Sequence, residues 1–317
     1  MATRLAPELQ STLPQPLAGR PRRRSRVKGI RSGRFAALYL SPAMLIFLVF
    51  TLGPAIFVFY ISFFNWNMLN PAQSQFRGLG NYQELITSAA FWHSALISAY
   101  FVALSVTIST IAGFGLAMLL ISRGGLRNLV RLAVLSPYFT PIVATSIVWI
   151  WIFNPQFGLL DGVLHVLHLP QVGWLESETW ALPAVVLYTM WHNLGFTVII
   201  FIAGLATVSG ELREAARVDG AGFLREVWHV VLPQMTQTVL FVVVITTIGS
   251  LQAFTQFYTM TGGGPVDATT TTGYLLYEQA FVFYNTGFAA AVAMVLFVVI
   301  ALFTLAQLWL WQKQART

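Results

Sequence analysis

Side chains able to do chemistry fall in three places along this chain. The first is a pair of polar and aromatic clusters inside apolar stretches. One is Trp191-His192-Asn193 with Phe196 one turn on; the other is Thr246, Ser250, Gln252 and Gln256, with Phe254 and Tyr258 close by. Thr246 and Ser250 are four residues apart and would share a helix face. Neutral hydrogen-bonding groups beside aromatic faces suit a sugar, whose rings have apolar faces and hydroxyl edges. The same Ser and Thr side chains equally suit bonding to their own backbone or to a neighbouring helix. The second place holds Asp161, His165 and His168, followed by Glu176 and Glu178. Their spacing matches no catalytic arrangement, and surface histidines are mostly unliganded, so neither a catalytic residue nor a metal site is expected. The third is the charged run from Glu211 to Glu226. There is no Gly-Lys-Ser/Thr phosphate-binding loop, so ATP is not held by that device. There is no cysteine, which excludes disulfides and thiolate chemistry.

The elements that position these residues are apolar. Of the 317 residues, 56% are hydrophobic and 9% are charged, where an ordinary soluble domain carries roughly 25% charged residues. Six apolar stretches stand out, at about 36–64, 94–121, 129–153, 182–207, 232–257 and 287–311. Each reaches the roughly 20 residues that cross about 30 Å of hydrocarbon. The short segment at 159–169 reads as an interfacial helix. The expected fold is an all-α integral membrane protein of six transmembrane helices. Residues 1–34 form a basic, proline-containing tail, expected to be disordered, and 35–317 the membrane domain.

Charge sets the orientation. With the N-terminus inside, the basic run from Arg4 to Arg34 is cytoplasmic, as are Arg123, Arg127, Arg131, Arg213, Arg217, Arg225, Lys313 and Arg316. Of the 18 Lys and Arg, Arg77 alone falls outside. This bias places both termini in the cytoplasm. It also accounts for the net charge of +7 as anchoring near anionic lipid, with no nucleic acid partner. No Lys, Arg, Asp or Glu lies well inside a stretch. Such residues mark ion and proton pathways, so an ion-coupled secondary carrier is disfavoured. A membrane enzyme acting on lipid-linked sugars would need its catalytic groups among Asp161, His165, Glu176 and Glu178.

The loop between the fourth and fifth stretches reads as two short helices. Ser209 caps the first, acids occupy its first turn, and Gly220 and Gly222 suit the turn that follows. Leu224, Val227 and Trp228 share a face of the second, and Pro233 introduces the next stretch. Glu214-Ala215-Ala216, Gly220 and Leu232-Pro233 resemble the EAA loop of bacterial ABC importer permeases, with Val230 where that pattern has isoleucine. The string Glu214 to Ala221 is similar to the carbohydrate-uptake branch, the maltose-type and glycerol-3-phosphate-type permeases, and to the first of their two permeases. Thr261-Gly262-Gly263-Gly264-Pro265, Phe153-Asn154-Pro155 with Gly158, and Gly80-Asn81-Tyr82 resemble further motifs of that branch. The large external insertion of the maltose-type permease has no counterpart in residues 65–92.

The resemblance implies a permease subunit of a binding-protein-dependent ABC importer in the bacterial cytoplasmic (inner) membrane. Its cargo would be a mono- or oligosaccharide. Glycerol-3-phosphate or a glycerophosphodiester is the nearest alternative, although a phosphate would favour Arg or Lys in the pathway. Glu214, Ala215, Ala216, Asp219, Gly220 and Ala221 would form the coupling helix against an ATPase subunit. His192, Asn193 and Phe196 would be one wall of the substrate pathway, with Thr246, Ser250 and Gln252 on the other. Gly262, Gly263, Gly264 and Pro265 would meet the extracytoplasmic binding protein. A second permease and two ATPase subunits complete the implied assembly. ATP and Mg bind in the partner ATPase, and this chain binds no cofactor. Glu214→Ala, and more strongly Gly220→Asp, should lower uptake and weaken ATPase attachment while membrane insertion stays normal. Uptake assays and co-purification check this, and full uptake in both variants would contradict it.

Overall fold

A computed structural model describes residues 32–68, 70–121 and 124–314. The basic residues from Arg4 to Arg31, together with Arg123 and Arg316, lie outside the described residues. The chain divides into two units, Met1–Pro54 and Ala55–Thr317. From the first unit, α1 (Ser32–Phe47) passes through a wide π-helical turn, Leu48–Leu52, into α2 (Gly53–Ile61), which enters the second unit at Ala55. From Tyr39 to Pro54 every side chain is exposed.

The second unit carries the remaining architecture. A two-residue hairpin pairs β1 (Phe64–Asn65) with β2 (Gln75–Phe76), Phe64 opposite Phe76. Helix α3 (Gly80–Thr87) locks it. Asn81 is buried and donates to the carbonyls of Ser62 (2.8 Å) and Phe64 (2.9 Å), while Tyr82 hydroxyl shares a 2.8 Å bond with Ser62 Oγ. The Gly80-Asn81-Tyr82 motif is therefore a structural clasp. Next come α4 (Ala89–Leu120), α5 (Gly125–Leu135), α6 (Ile142–Ile152), α7 (Leu159–Val166) and α8 (Ala181–Leu205). They are followed by α9 (Gly210–Val218), α10 (Phe223–Glu226), α11 (Leu232–Gln234), α12 (Thr236–Leu251) and α13 (Thr255–Met260). Then α14 (Thr272–Tyr277) leads to α15 (Thr286–Gln314).

Four helices are long and apolar enough to cross a membrane: Tyr39–Ile61, Ala89–Leu120, Ala181–Leu205 and Thr286–Leu310. Two bent pairs bring the total to as many as six. The third expected stretch, 129–153, is not one helix. Gly125–Phe139 and Ile142–Ile152 meet at 107°, because Pro137 and Pro141 remove backbone donors and clash with the preceding turn. The fifth, 232–257, is also broken. Phe223–Gln234 and Thr236–Leu251 meet at 76° just after Pro233, and α12 stops at Leu251 before a separate α13. The second begins at Ala89, five residues before its expected start, where Ser88 Oγ caps the Phe91 amide (3.3 Å).

The core lies between α4 and α8. Besides Phe91, Phe101 and Leu120, the buried face of α4 consists of small residues at helical spacing: Ser94, Ser98, Ser105, Ser109, Gly113 and Ala117. Small residues let helix backbones approach closely. A Cβ on Gly113 would lie 2.4 Å from Thr197 Cγ2 on α8. Phe201, Val198 and Leu205 of α8 pack with Ala117, Leu120, Val231, Met235 and Val242 in one apolar cluster. Gly195 backs directly onto α5, where an added Cβ would meet Val134 carbonyl oxygen at 2.5 Å and Leu135 Cα at 2.6 Å. Backbone cannot yield as a flexible side chain does, so Gly195→Val should cost about 1–3 kcal/mol through overpacking. A lower melting temperature of the detergent-purified chain checks this; an unchanged one would contradict it.

Candidate functional site

A cavity of about 390 Å³ opens among α4, α8, α12 and the two broken segments. On α8, Asn193 and Phe196 line it together with Thr189 and Thr197. These residues share a face because they are three or four apart. Phe196 stacks on Tyr138 with ring centroids 5.1 Å apart and planes 18° apart. Tyr138 sits in the short 3₁₀ turn Ser136–Phe139, so the bend that breaks the third stretch delivers it. On α12, Thr246, Gly249 and Ser250 face the cavity, and Gln252, Phe254 and Gln256 follow where that helix ends. Ser105 and Ser109 of α4 complete the wall. No charged side chain is among the lining residues.

Of the six residues expected in a substrate pathway, Asn193, Phe196, Thr246, Ser250 and Gln252 meet here. His192 does not. It is one residue from Asn193, hence turned about 100° away on the helix. The ring is buried and its Nε2 donates to the Thr140 carbonyl (3.2 Å), bracing the turn beside Pro141. Thr246 Oγ1 donates to the Val242 carbonyl of its own helix (2.7 Å), so its backbone bond and its place at the cavity coexist. Sequence reasoning missed Ser105, Ser109, Tyr138, Thr189 and Thr197. The signals were present: Thr189 and Thr197 lie one turn either side of Asn193, and α4 carries a seryl stripe. Above the cavity, Phe254 continues into stacked rings, with Tyr258 at 5.5 Å and Tyr274 at 6.4 Å.

The segment expected to meet an ATPase forms a distinct projection. Ser209 Oγ accepts from Leu212 N–H (3.4 Å) at the start of α9. Gly220 ends it at φ +79°, a conformation costly for any residue with a Cβ, and no atom lies within 4 Å of where a Cβ would be. Glu214, Ala215, Asp219 and Gly220 are exposed, while Ala216 and Ala221 are half-buried. α9 buries no side chain. It is tied down by charge: Glu226, 3% exposed, accepts from Arg213 Nε (2.6 Å) and Arg217 Nε (2.9 Å). Glu226 ends α10, ahead of the expected apolar stretch 232–257 and of helix α12. Its carboxyl is held below the ordinary carboxylate range, first by the hydrogen bond from Arg217 and next by that from Arg213, against the opposing effect of burial. A depressed pKa means the tie is complete at neutral pH and is lost only as pH falls through the lowered value.

At the opposite end of α13, the run Thr261–Pro265 is a tight loop. Gly262 (φ +56°) and Gly263 (φ +80°) adopt left-handed backbone. Gly263 is buried, and a Cβ there would meet Tyr274 Cε1 at 2.5 Å. Thr269 Oγ1 donates to Gly264 carbonyl (2.7 Å) and Thr270 Oγ1 to Gly263 carbonyl (3.1 Å). Gly262 is exposed, Gly264 and Pro265 are half-buried, and Val266 and Asp267 form the exposed tip. Asp161 and His165, four apart on α7, line a second pocket, and His168 is not among its lining. Asp161 is buried with Oδ1 accepting from Val172 N–H (2.9 Å), and among the described residues no three metal-ligating side chains come together.

Residues 105–316 match the family model described as binding-protein-dependent transport system inner membrane component. The chain belongs to that family. The matched residues include both the cavity and α9, and the chain is accordingly an integral inner membrane permease component. It is 30% identical over 262 residues to the sulfoquinovosyl glycerol transport system permease of Agrobacterium fabrum, covering 83% of this chain and 85% of that one. It is 30% identical over 281 residues to the trehalose/maltose transport system permease of Thermococcus litoralis, covering 88% and 94%. A solved bacterial ABC transporter involved in import of the acidic polysaccharide alginate superposes with a TM-score of 0.77 at 21% identity, over 90% of this chain and 97% of that one. That likeness shows a shared fold.

Proposed function

We propose that the chain is one of two permeases of an ATP-driven importer, and that its cavity passes a neutral saccharide. The observation that carries the substrate class is the cavity itself: aromatic Tyr138, Phe196 and Phe254 beside Asn193, Ser250, Gln252 and Gln256, without a charged group. A phosphorylated cargo such as glycerol-3-phosphate would favour a cationic partner there, and none lines it. Relatives named for trehalose, maltose and sulfoquinovosyl glycerol transport support a glycan cargo.

In this reading the six apolar segments each cross the bilayer, with both termini in the cytoplasm, so the loop carrying α9 faces the cytoplasm. Glu214, Ala215, Ala216, Asp219, Gly220 and Ala221 then meet one of two ATPase subunits, which bind ATP and Mg. The exposure of Glu214, Ala215, Val218, Asp219 and Gly220 supports that docking. A binding protein delivers cargo to the loop at Gly262–Pro265, with Val266 and Asp267 as its accessible tip. ATP-driven closure of the ATPase pair biases the permeases between two orientations, a population shift by ligand.

Uptake of labelled glucose, maltose, trehalose and glycerol-3-phosphate by proteoliposomes containing the complex purified from its host tests the reading. Uptake of a neutral sugar, blocked by vanadate, is expected. Uptake of glycerol-3-phosphate alone would overturn the substrate class. For the sugar transported, Asn193→Leu should raise the half-saturating concentration about tenfold, since a lost ligand hydrogen bond costs about 1.4 kcal/mol.

A further inference from the structure

We propose that Glu226 is a positioning residue that makes α9 and the root of α12 move as one body, through its ion pairs with Arg213 and Arg217. The inference rests on the transport function proposed above and names the link by which movement at α9 reaches the cavity.

Three observations support it. First, α9 packs lightly, since none of its side chains is fully buried and only Arg213 and Ala216 are half-buried. Besides the turn at Gly220 and a bond from Ser209 N–H to Gln234 Oε1 (3.1 Å), the two arginines are its main hold on the unit. They lie one turn apart on one face of α9, so a single carboxylate can take both. Second, Glu226 is 3% exposed, and both of its oxygens are engaged. A buried ion pair adds little net stability over apolar side chains of similar size, yet losing one partner leaves an uncompensated charge. Stability alone does not call for a carboxylate here; holding two elements in register does. Third, Glu226 sits at the head of a path that bends by 76° at Met235 and is held there by packing. Val227 follows it and is buried, Val231 and Met235 insert into the cluster with Phe201 and Leu205, and α12 carries Thr246, Gly249 and Ser250 to the cavity. A displacement of α9 is thus handed to Glu226, and from there to the wall of the cavity.

The absence of cysteine makes the test direct. Gly249→Cys places one thiol in the cavity wall, at a position where an added Cβ meets no atom within 4 Å. The complex is purified with its partners from the host and reconstituted in inside-out vesicles. An impermeant maleimide–polyethylene glycol labels the tagged chain, and its gel shift reads the rate. With Glu226 intact, trapping with ATP and vanadate should slow labelling about tenfold, as a nine-in-ten closure to the cytoplasm would. With Glu226→Gln, the ATPase should co-purify in normal amount and hydrolyse ATP, while labelling no longer responds to trapping. A purely structural role would instead lower ATPase recovery and leave the surviving complexes responsive. Either that pattern or an undiminished response in Glu226→Gln overturns the proposal. If Glu226→Gln does not accumulate, Arg217→Gln, altered on a half-exposed side chain, should weaken the response; an unaltered response there also overturns it. No response to trapping with Glu226 intact would overturn the transport reading itself.

Discussion

A peptide group in hydrocarbon has no water to bond, so a membrane-spanning chain can leave its helix only where protein or a cavity receives the freed groups. The breaks in this chain obey that constraint and shape the cavity as they do so. At the Pro137–Pro141 bend, the Thr140 carbonyl accepts from His192 and the Ile142 carbonyl from Tyr188 hydroxyl (2.9 Å). At the end of α4, Arg131 Nε donates to the Leu120 carbonyl (3.1 Å) and Nη2 to that of Ile121 (3.1 Å). Beyond Leu251, Gln256 Nε2 reaches Thr189 Oγ1 (3.4 Å) on α8. The same irregular segments supply Tyr138, Gln252, Phe254 and Gln256 to the cavity. The irregular segments thus line the cavity, while His192, Tyr188 and Arg131 receive their freed carbonyls from outside its lining.

Much of this was legible in the amino-acid sequence because hydrocarbon imposes long-range regularity. Length and hydropathy located the apolar stretches, and the helical period grouped Thr246 with Ser250. What was not legible depends on direction rather than composition. His192 and Asn193 are neighbours in sequence but point a hundred degrees apart, so one braces a turn while the other lines the cavity. Ser105 and Ser109 read as packing residues until α8 is set against them. The break after Leu251 needs tertiary partners that no local pattern shows, whereas Pro137, Pro141 and Pro233 are local signals of the other two bends that the expectation of unbroken stretches passed over. The glycines at 262–264 were expected to touch a partner. Within that loop Gly263 is buried, where a Cβ would meet Tyr274, while Gly262 is exposed and Val266 and Asp267 form the tip.

Charge is used sparingly and at the edges. Among the described residues, ion pairs form at two places: Arg77 with Glu84 (2.7 Å) beside the hairpin clasp, and Glu226 with Arg213 and Arg217 under α9. The first is exposed and contributes little, as surface pairs do. In the second, a buried carboxylate meets two partly exposed arginines, and the pairs join α9 to the segment that leads into α12. Between these ends the unit relies on close helix packing through Gly113, Gly195 and Gly204. That division leaves the cavity lining free of charged side chains.

The central claim is that the chain works as one part of an ATP-powered assembly, and native mass spectrometry of the tagged chain, purified gently from its own host, tests it most directly. The account predicts a complex containing one copy of this chain, one of a second permease and two of an ATPase. A chain that purifies only with itself, under conditions that preserve known complexes, would contradict it.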